Sequence, residues 1–310
     1  MSEPHYDIIG DVHGHADALR RLLIKLGYTE SYYVFQHDTR KAIFVGDFVD
    51  RGPDQREVLR IVRNMCEADT ASAVLGNHEF NAIAWARPNG QGGFLRERSE
   101  KNKRQHAEFL HQLEEGSREY YDALHWFEQL PVWLEFPGLR VIHACWHEPS
   151  CADLRPYLDS RTRFTEEGLR EALRRGSTAY AAAKILMKGP EQRLPPGMSF
   201  FDGSGHERHD VRIRWWDPRA TTFRQAAIGV DDRIGDLPDV ELPIDFRYME
   251  STPVLFGHYW MEGEPTITFS NAACLDFRVA RKGYLTAYRW SGERELSLER
   301  LVYVPAESMS

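Results

Sequence analysis

Near the start of the chain, three short apolar segments each lead into a glycine, and a polar residue follows that glycine. Between them, apolar residues recur at helical spacing over 17–26 and 56–65, so strands and helices alternate. Units of this kind have right-handed crossovers and form a mainly parallel sheet, whose carboxyl edge is where ligands bind. The three segments are 6–10, before Asp11; 41–45, before Gly46 and Asp47; and 71–75, before Gly76 and Asn77.

The remainder of the chain continues the mixture of helices and strands. Apolar spacing predicts a long charged helical region over 101–130 and another helix over 166–187. We find no internal repeat and no clear linker, and therefore expect one α/β domain over 1–310 with an insertion or lid at about 146–250. The predicted strands are 132–135, 140–143, 211–216, 253–256, 266–269 and 284–290, with an edge strand within 295–304 and a surface loop over 189–210.

Residues with the chemistry of metal ligands occupy these strand ends. Asp11 and His13 are two positions apart, so their side chains point the same way in extended backbone and can reach one cation. Asp47 follows a glycine that permits close backbone approach to an ion, and a carboxylate there can bridge two metals. Further candidates at strand ends are Asn77, His143 and His258. Together these residues predict a dinuclear metal site.

Composition limits the classes of partner. The net charge of -8 and the pI near 5.9 argue against nucleic acid or an anionic membrane as partner. No basic segment leads into an apolar run at the start, and no apolar stretch approaches the ~20 residues of a membrane helix. None of the four cysteines forms a CxxC pair, which argues against a disulfide framework. We expect a cytoplasmic protein, with its oligomeric state open.

The segments GDVHG (10–14), GDFVDRG (46–52) and GNHE (76–79), with His143 and His258, resemble the motifs of the calcineurin-like metallophosphoesterases. More narrowly, they resemble the phosphoprotein phosphatase branch. That branch contains Ser/Thr phosphatases, bacteriophage-type phosphatases and symmetrical diadenosine tetraphosphatases. The resemblance implies a four-layer α/β/β/α sandwich, in which two mixed β-sheets are flanked by helices.

The resemblance also implies how two metal ions would be held. The implied ligands are Asp11, His13 and Asp47 for the first metal, and Asp47, Asn77, His143 and His258 for the second, with Asp47 bridging. Mixed nitrogen and oxygen ligation favours Mn, Fe or Zn over Ca. We expect two divalent ions, with manganese first and iron or zinc as alternatives.

Charged residues beside the implied ligands are expected to carry the chemistry. A water shared by the two metals would attack phosphorus directly. Arg51 is placed to bind the phosphate oxygens. His78 is expected to donate a proton to the leaving oxygen, while Asp50 orients its ring. Arg214, which shares a face of a predicted strand with Arg212, is a further candidate phosphate ligand, although a solvated strand face is an equal alternative.

Two departures from the family pattern bear on the substrate. Many metallophosphoesterases, nucleases among them, carry a Gly-His-x-His motif, and Trp260 occupies the position of its second histidine. Phosphoprotein phosphatases also lack that histidine, so Trp260 favours this branch over a nuclease. The branch usually has His-Gly-Gly where this chain has His-Ala-Cys-Trp at 143–146, which changes the wall of the pocket.

We therefore expect a phosphatase that hydrolyses monoesters on phosphorylated protein or on a small phosphate ester or nucleotide. The alternative is a dinucleoside polyphosphate hydrolase, in which tryptophans could stack on nucleosides, although tryptophans in strands are more often core residues. The tryptophans in question are Trp146, Trp215, Trp216 and Trp260. A phosphodiesterase or nuclease and a non-catalytic scaffold are less favoured, the scaffold because no implied ligand is missing.

Overall fold

Two β-sheets packed face to face form the centre of the molecule, and helices flank them. The computed structural model describes residues 5–201, 207–230 and 237–307. No helix in these ranges combines the length and the apolar character that crossing a bilayer requires. The expected α/β class and the two-sheet architecture are confirmed.

The first sheet joins the beginning of the chain to its end. Its strands are β1 (His5–Ile9), β4 (Arg40–Phe44), β5 (Ala71–Ala73), β15 (Asp276–Phe277), β16 (Tyr284–Trp290) and β17 (Leu301–Pro305). β1, β4 and β5 run parallel, with Ile9 opposite Phe44, as the alternation of strands and helices predicts. On its other side β1 pairs antiparallel with β16, which also pairs with β15 and β17. The sheet is therefore mixed.

The second sheet is built from the middle of the chain and one later segment. Its strands are β6 (Trp133–Phe136), β7 (Leu139–Ile142), β13 (Val254–Phe256) and β14 (Ala272–Cys274). β6 and β7 form an antiparallel hairpin, whereas β7, β13 and β14 run parallel. The carboxyl ends of β7 and β13 therefore lie at one edge.

Alternating side chains of the two sheets form the core between them. Tyr6 and Ile8 of β1 point into it, together with Val141 of β7 and Leu255 of β13. Ile9 of β1 points the other way, toward the helices. This period of two is what strands buried on both faces require.

Helices flank the two sheets, except that the last and shortest of them belongs to a separate small core. They are α1 (Ala16–Lys25), α2 (Gln55–Glu67), α3 (Asn77–Ala86), α4 (Glu100–Gln105), α5 (Ala107–Gln112), α6 (Arg118–Glu128), α7 (Glu148–Leu154), α8 (Glu166–Leu173), α9 (Thr178–Lys188) and α10 (Phe223–Ala226). Short 3₁₀ turns lie at Arg155–Tyr157, Val279–Arg281 and Leu298–Arg300. The apolar stripe of α1 packs against β16 and β17, and that of α2 packs against β5 and β3 (Val34–Gln36).

Two predicted helices are interrupted in the structure. The region 101–130 forms three helices, because His106 turns inward between α4 and α5 and positive φ values at Glu114 and Gly116 end the second. The predicted helix over 166–187 is two helices, since Gly176, with φ +87°, breaks the chain between them. In both cases apolar spacing continues across a turn that periodicity alone does not reveal.

The strand predicted over 266–269 is wrong. This segment is irregular apart from an isolated bridge at Phe269, and β14 follows it. The alternation of Thr and Ile there resembles a strand, but the ladder positions beside β16 are filled by β1, β15 and β17. The final predicted strand over 295–304 is shorter than expected and corresponds to β17.

A smaller set of strands lies between residues 190 and 230. β8 (Glu191–Arg193), β11 (Asp210–Ile213) and β12 (Ala227–Ile228) form an antiparallel sheet with a separate small core that contains Val211 and Phe223. β9 (Phe200–Phe201) pairs with β10 (Glu207–Arg208), so the predicted loop over 189–210 contains strands. A further hairpin joins β2 (Thr29–Ser31) and β3 (Val34–Gln36). The extent of a lid over about 146–250 stays a prediction.

A buried ion pair ties the first sheet together. Asp7 of β1 is fully buried, and its carboxylate accepts hydrogen bonds from Arg40 (2.9 Å) and Arg289 (3.1 Å). Arg40 also donates to the carbonyl oxygens of Tyr6 (2.6 Å) and Trp290 (2.7 Å). The side chain of Arg40 on β4 therefore bonds to both β1 and β16. The candidate ligand Asp11 follows β1 in the chain.

We predict that Arg40→Met lowers the free energy of unfolding by about 3–5 kcal/mol, because it leaves the Asp7 carboxylate buried without its main partner. Urea unfolding followed by circular dichroism measures this change. Arg63→Met is the matched control, since Arg63 pairs with Glu67 on the exposed face of α2. That variant should cost no more than about 1 kcal/mol. Similar losses in both variants would contradict the importance of the buried pair.

Candidate metal centre

Strand ends from both sheets meet at one edge of the sandwich, and the structure brings all six predicted metal ligands together there. They are Asp11 after β1, His13, Asp47 after β4, Asn77 at the start of α3, His143 after β7 and His258 after β13. All are buried. The backbone N–H of His258 donates to Asp11 Oδ2 (3.0 Å), and His143 Nδ1 donates to the carbonyl of Val45 (2.8 Å). These bonds join the second sheet to the first.

Two glycines allow this close approach. A Cβ atom at Gly257 would lie 1.8 Å from Asp11 Oδ1, and one at Gly76 would lie 2.4 Å from Asp47 Oδ1. Neither overlap can be relieved without moving a carboxylate. The absence of side chains at these positions thus defines a cradle for the two carboxylates.

The histidines present lone pairs to the Asp47 carboxylate. Nδ1 of His13 donates to the carbonyl of Val49 (2.9 Å), and Nδ1 of His143 donates to a carbonyl as well. In a neutral ring, the other nitrogen then carries a lone pair. Nε2 of His13 lies 3.6 Å from Asp47 Oδ2, and Nε2 of His143 lies 3.4 Å from Asp47 Oδ1. Acceptors that face one another in this way fit a cation between them.

Several buried polar atoms at this edge have no hydrogen-bond partner within the part of the chain that the structure describes. They include Asp11 Oδ1, His13 Nε2 and His258 Nε2. Leaving such atoms unsatisfied is costly, so their convergence fits a bound ion. By distance, buried side chains at this edge form two groups that could hold a metal and that share Asp47: His13, Asp47 and His78, and Asp47, His143 and His258. The donor set of imidazole and carboxylate suits a first-row transition metal.

His78, which belongs to the first of these groups by distance, is also held by a second carboxylate, that of Asp50. Its Nδ1 is 2.5 Å from Asp50 Oδ2, while its Nε2 is 3.8 Å from Asp47 Oδ2. The other oxygen of Asp50 is 2.7 Å from Nδ1 of His106, which is fully buried. His106 is absent from the predicted site because a single histidine within a charged helical region carries no sequence signal.

Two further buried carboxylates shape the loops that carry the ligands. Glu79 accepts hydrogen bonds from the backbone N–H groups of Asp47 (2.8 Å), Phe48 (2.8 Å) and Val49 (3.3 Å). Asp276 likewise accepts from the N–H of Trp260 (2.8 Å). Glu79 is part of the GNHE segment, but the sequence does not reveal that it holds the loop after β4.

The pKa directions separate the candidate ligands from His78. Burial lowers the pKa of His13, His143 and His258, so these rings are neutral and can bind a metal. Burial also lowers the pKa of His78, but Asp47 and Asp50 outweigh it and raise that pKa above its usual value. His78 is therefore the imidazole best suited to carry a proton.

A cleft of about 710 Å³ opens over the candidate ligands. Arg51 lies in it with its guanidinium 4.0 Å from the ring centre of Trp260, which holds the arginine by a cation–π contact. Arg212 also lines the cleft. Arg214 is not among the lining residues, so its role as a phosphate ligand stays a prediction.

The tryptophans do not form a nucleoside platform at the cleft. Trp146, Trp215 and Trp216 are buried core residues, so the suggestion that they stack on a nucleoside is wrong. Trp260 alone of the four lines the cleft, and its ring contacts Arg51 and Arg281.

Known proteins are similar to this chain both in sequence and in fold. The profile of the calcineurin-like phosphoesterase family matches residues 5–182, more than half of the chain. The symmetrical bis(5'-nucleosyl)-tetraphosphatase of Vibrio vulnificus is 27% identical over 301 residues, which cover 95% of this chain and 98% of that protein. The asymmetrical bis(5'-nucleosyl)-tetraphosphatase PrpE of Halalkalibacterium halodurans is 50% identical over 74 residues, but the match covers only 24% of this chain and 30% of that protein.

A solved protein serine/threonine phosphatase from Saccharomyces cerevisiae has the same fold, with a TM-score of 0.52 at 12% identity, over 100% of this chain and 82% of that one. The family match spans the first three motifs and His143, whose side chains converge in the structure. The chain therefore belongs to the calcineurin-like phosphoesterase family, and it is a phosphoester hydrolase.

Proposed function

We propose that the chain hydrolyses dinucleoside polyphosphates, cleaving a tetraphosphate with one water into two nucleoside diphosphates. The observation that carries this proposal is the charge of the cleft. Asp47 and Glu97 are the carboxylates among its lining residues. Its cationic lining residues are Arg51, Arg96, Lys101, Arg175, Lys188, Arg212 and Arg281.

Among the described residues, none of these seven cations has a carboxylate within ion-pair distance, although most other arginines of the chain do. Arg20, Arg60 and Arg87, for example, each pair with two glutamates. Unpaired cations along a cleft create a field that attracts and holds anions. A single phosphate monoester needs far fewer, whereas a chain of phosphates presents negative charge along the whole cleft.

The relatives support the same substrate class. The protein that is similar over nearly the whole chain is a symmetrical bis(5'-nucleosyl)-tetraphosphatase. This similarity favours the alternative expectation from the sequence, a dinucleoside polyphosphate hydrolase, over a phosphoprotein phosphatase. The position of cleavage, between the central phosphates, is proposed on the same basis.

In the proposed site the six predicted ligands would hold two divalent ions, and Asp47 would contribute to both. When bound, such ions would supply Lewis acidity and a nucleophile at neutral pH. Asp11, His13 and Asp47 would serve one ion, and Asn77, His143 and His258 would complete the other with Asp47. Manganese remains the first candidate, with iron or zinc as alternatives.

The chain's own residues would bind the phosphates and move the proton. Arg51, held over Trp260, is proposed to bind the phosphate that is attacked. His78 is proposed to donate its Nε2 proton to the leaving oxygen, while Asp50 fixes its ring through Nδ1. His106, on the other oxygen of Asp50, would keep that carboxylate in place.

The region 146–250 is proposed to form a wall of the cleft. Leu173, Arg175, Tyr180, Lys188 and Arg212 from this region line it, opposite residues of α3 and α4. Their contribution supports the prediction that the region influences which substrate binds.

The first prediction concerns the substrate. With Mn²⁺, Zn²⁺ or Mg²⁺ supplied in turn, kcat/KM for diadenosine tetraphosphate should exceed that for a phosphoserine peptide by at least about tenfold, because charged contacts to extra phosphates contribute about 1.5–3 kcal/mol each. Chromatography of the products should show ADP alone. ATP with AMP would contradict central cleavage, and a preference for the phosphopeptide would contradict the proposed substrate class.

The second prediction concerns the ligand shared by both ions. Asp47→Asn should lower metal content and reduce kcat by at least about a hundredfold, because it removes the charge that holds the two ions together. Metal analysis by mass spectrometry and steady-state kinetics measure both effects. Asp153→Asn, an exposed carboxylate on α7, is the control and should change neither. Full activity in Asp47→Asn would contradict a dinuclear site.

The third prediction separates proton donation from metal binding. His78→Ala should keep its metal but lose about 10²–10⁴-fold in kcat with diadenosine tetraphosphate. Among monoesters, the loss should be larger with phenyl phosphate than with p-nitrophenyl phosphate, because phenolate is the poorer leaving group and depends more on the donated proton. Asp50→Asn should show the same pattern more weakly. Loss of metal from His78→Ala, or equal losses on the two monoesters, would contradict the proposed role.

A further inference from the structure

Helix α3 runs outward from the candidate metal centre along the cleft. Asn77 begins the helix, and Asn77, His78, Asn81 and Ala84 all line the cleft. Residues four apart lie on one face, so Asn81 is about 6 Å farther from the metal edge than Asn77. That separation lies within the length of a triphosphate. The helix therefore presents positions at which phosphates next to the attacked one would lie.

Lys188 faces this position from the other side of the cleft. It is the last residue of α9, it is partly buried, and its Nζ donates to Asn81 Oδ1 at 3.3 Å. The end of a helix favours a cation, which could explain a lysine there. However, Lys184, one turn earlier on α9, pairs with Glu191 (2.8 Å), whereas Lys188 has no carboxylate partner among the described residues. The positive charge of Lys188 is therefore available to an anionic ligand in the cleft.

The surroundings of Lys188 make an unpaired charge costly. Burial, followed by repulsion from Arg96 and Lys184, lowers the pKa of Lys188 to about 8. Two cations in one partly buried place repel each other unless an anion lies between them. The same place is open to the cleft, so an anion can enter it.

Arg96 is held in place without being neutralised. Its backbone N–H donates to the carbonyl of Ala84, and its guanidinium donates to the amide oxygens of Gln105 (3.0 Å) and Asn102 (3.4 Å). Amide oxygens fix the direction of the guanidinium but leave its charge uncompensated. Arg96 therefore adds a second oriented cation along α3, beside the turn that follows Asn81.

We propose that Asn81, Lys188 and Arg96 form a second phosphate subsite, which binds the phosphates adjacent to the one that is hydrolysed. This assignment rests on the proposed function. It identifies the feature of the substrate that the enzyme would select, which is a leaving group that itself carries phosphate. Lys188 and Arg96 act as specificity-determining residues, and Asn81 positions Lys188.

The surface next to the cleft has room for the nucleoside that is attached to those phosphates. Beyond Arg96 the cleft adjoins a second groove of about 1050 Å³, and the two share Leu95, Glu97, Leu173 and Arg175. Phe94 and Pro88 contribute apolar surface to that groove. A nucleoside at the end of the phosphate chain would enter it without displacing the chain from Lys188.

The test compares substrates and inhibitors that differ in the number of phosphates. With free Mn²⁺ held constant, the ratio of kcat/KM for diadenosine tetraphosphate to that for p-nitrophenyl phosphate should fall about tenfold to a hundredfold in Lys188→Met. Inorganic tripolyphosphate should inhibit p-nitrophenyl phosphate hydrolysis more strongly than orthophosphate does in the unmodified protein. Lys188→Met should reduce that preference by a similar factor, and Lys188→Arg should restore part of it.

Lys184→Met is the matched control, since it removes a lysine one turn away that is already paired. It should leave both ratios unchanged. If Lys188→Met does not fold, as judged by circular dichroism, Arg96→Gln takes its place with the same expected result. Unchanged ratios in the folded variant, or an equal change in Lys184→Met, would overturn the subsite.

The two inhibition constants keep the subsite separate from the proposed function. If the protein does not hydrolyse diadenosine tetraphosphate but tripolyphosphate inhibition still depends on Lys188, the proposed function fails and the subsite stands. If the tetraphosphate is hydrolysed and neither ratio depends on Lys188 or Arg96, the subsite fails and the proposed function stands.

Discussion

The burial of several carboxylates at one edge of the sandwich is the constraint on which the site depends. Asp11, Asp47, Glu79 and Asp276 are all buried there. Burial and the mutual repulsion of these groups raise the pKa of Asp11 well above its usual value and also raise that of Glu79. Like charges can be buried together only if hydrogen bonds or cations offset the repulsion. The fold supplies hydrogen bonds to some of these groups and leaves others for an ion.

Whether a buried carboxylate is stabilised by hydrogen bonds or left for an ion depends on the backbone N–H groups beside it. Glu79 is bonded by successive N–H groups of the loop after β4, and Asp276 by the N–H groups of Trp260 and Arg278. These two carboxylates therefore serve as loop anchors. Asp47 instead faces imidazoles whose lone pairs point at it, and one oxygen of Asp11 has no partner. The unsatisfied atoms belong to the strand-end residues that the sequence motifs contain.

Sequence alone predicts those features of the fold and the site that depend on residues adjacent in the chain. Strands β1, β4 and β5 and the convergence of the candidate ligands that follow them could be predicted, because a strand, a glycine and a polar residue are adjacent in the chain. The proposed roles of His106, Lys188 and Arg96 could not be predicted, because each depends on contacts that form only in the folded chain. The false strand over 266–269 has the same origin, since its alternation is local but the available ladder positions are set by other strands.

Net charge is a poor guide to the field inside this cleft. The chain carries a net charge of -8, which argues against large polyanions such as nucleic acid. Yet the cations that line the cleft have no ion-pair partner among the described residues, whereas many acidic residues elsewhere pair with arginines. Surface charges are screened beyond about 8 Å at physiological ionic strength, whereas charges within the cleft act on a bound phosphate at contact distance. The acidic surface therefore disfavours long anions that must lie across it, and the cationic cleft favours short ones that fit within it. A dinucleoside polyphosphate satisfies both conditions, because its charge is confined to the few phosphates between its two nucleosides.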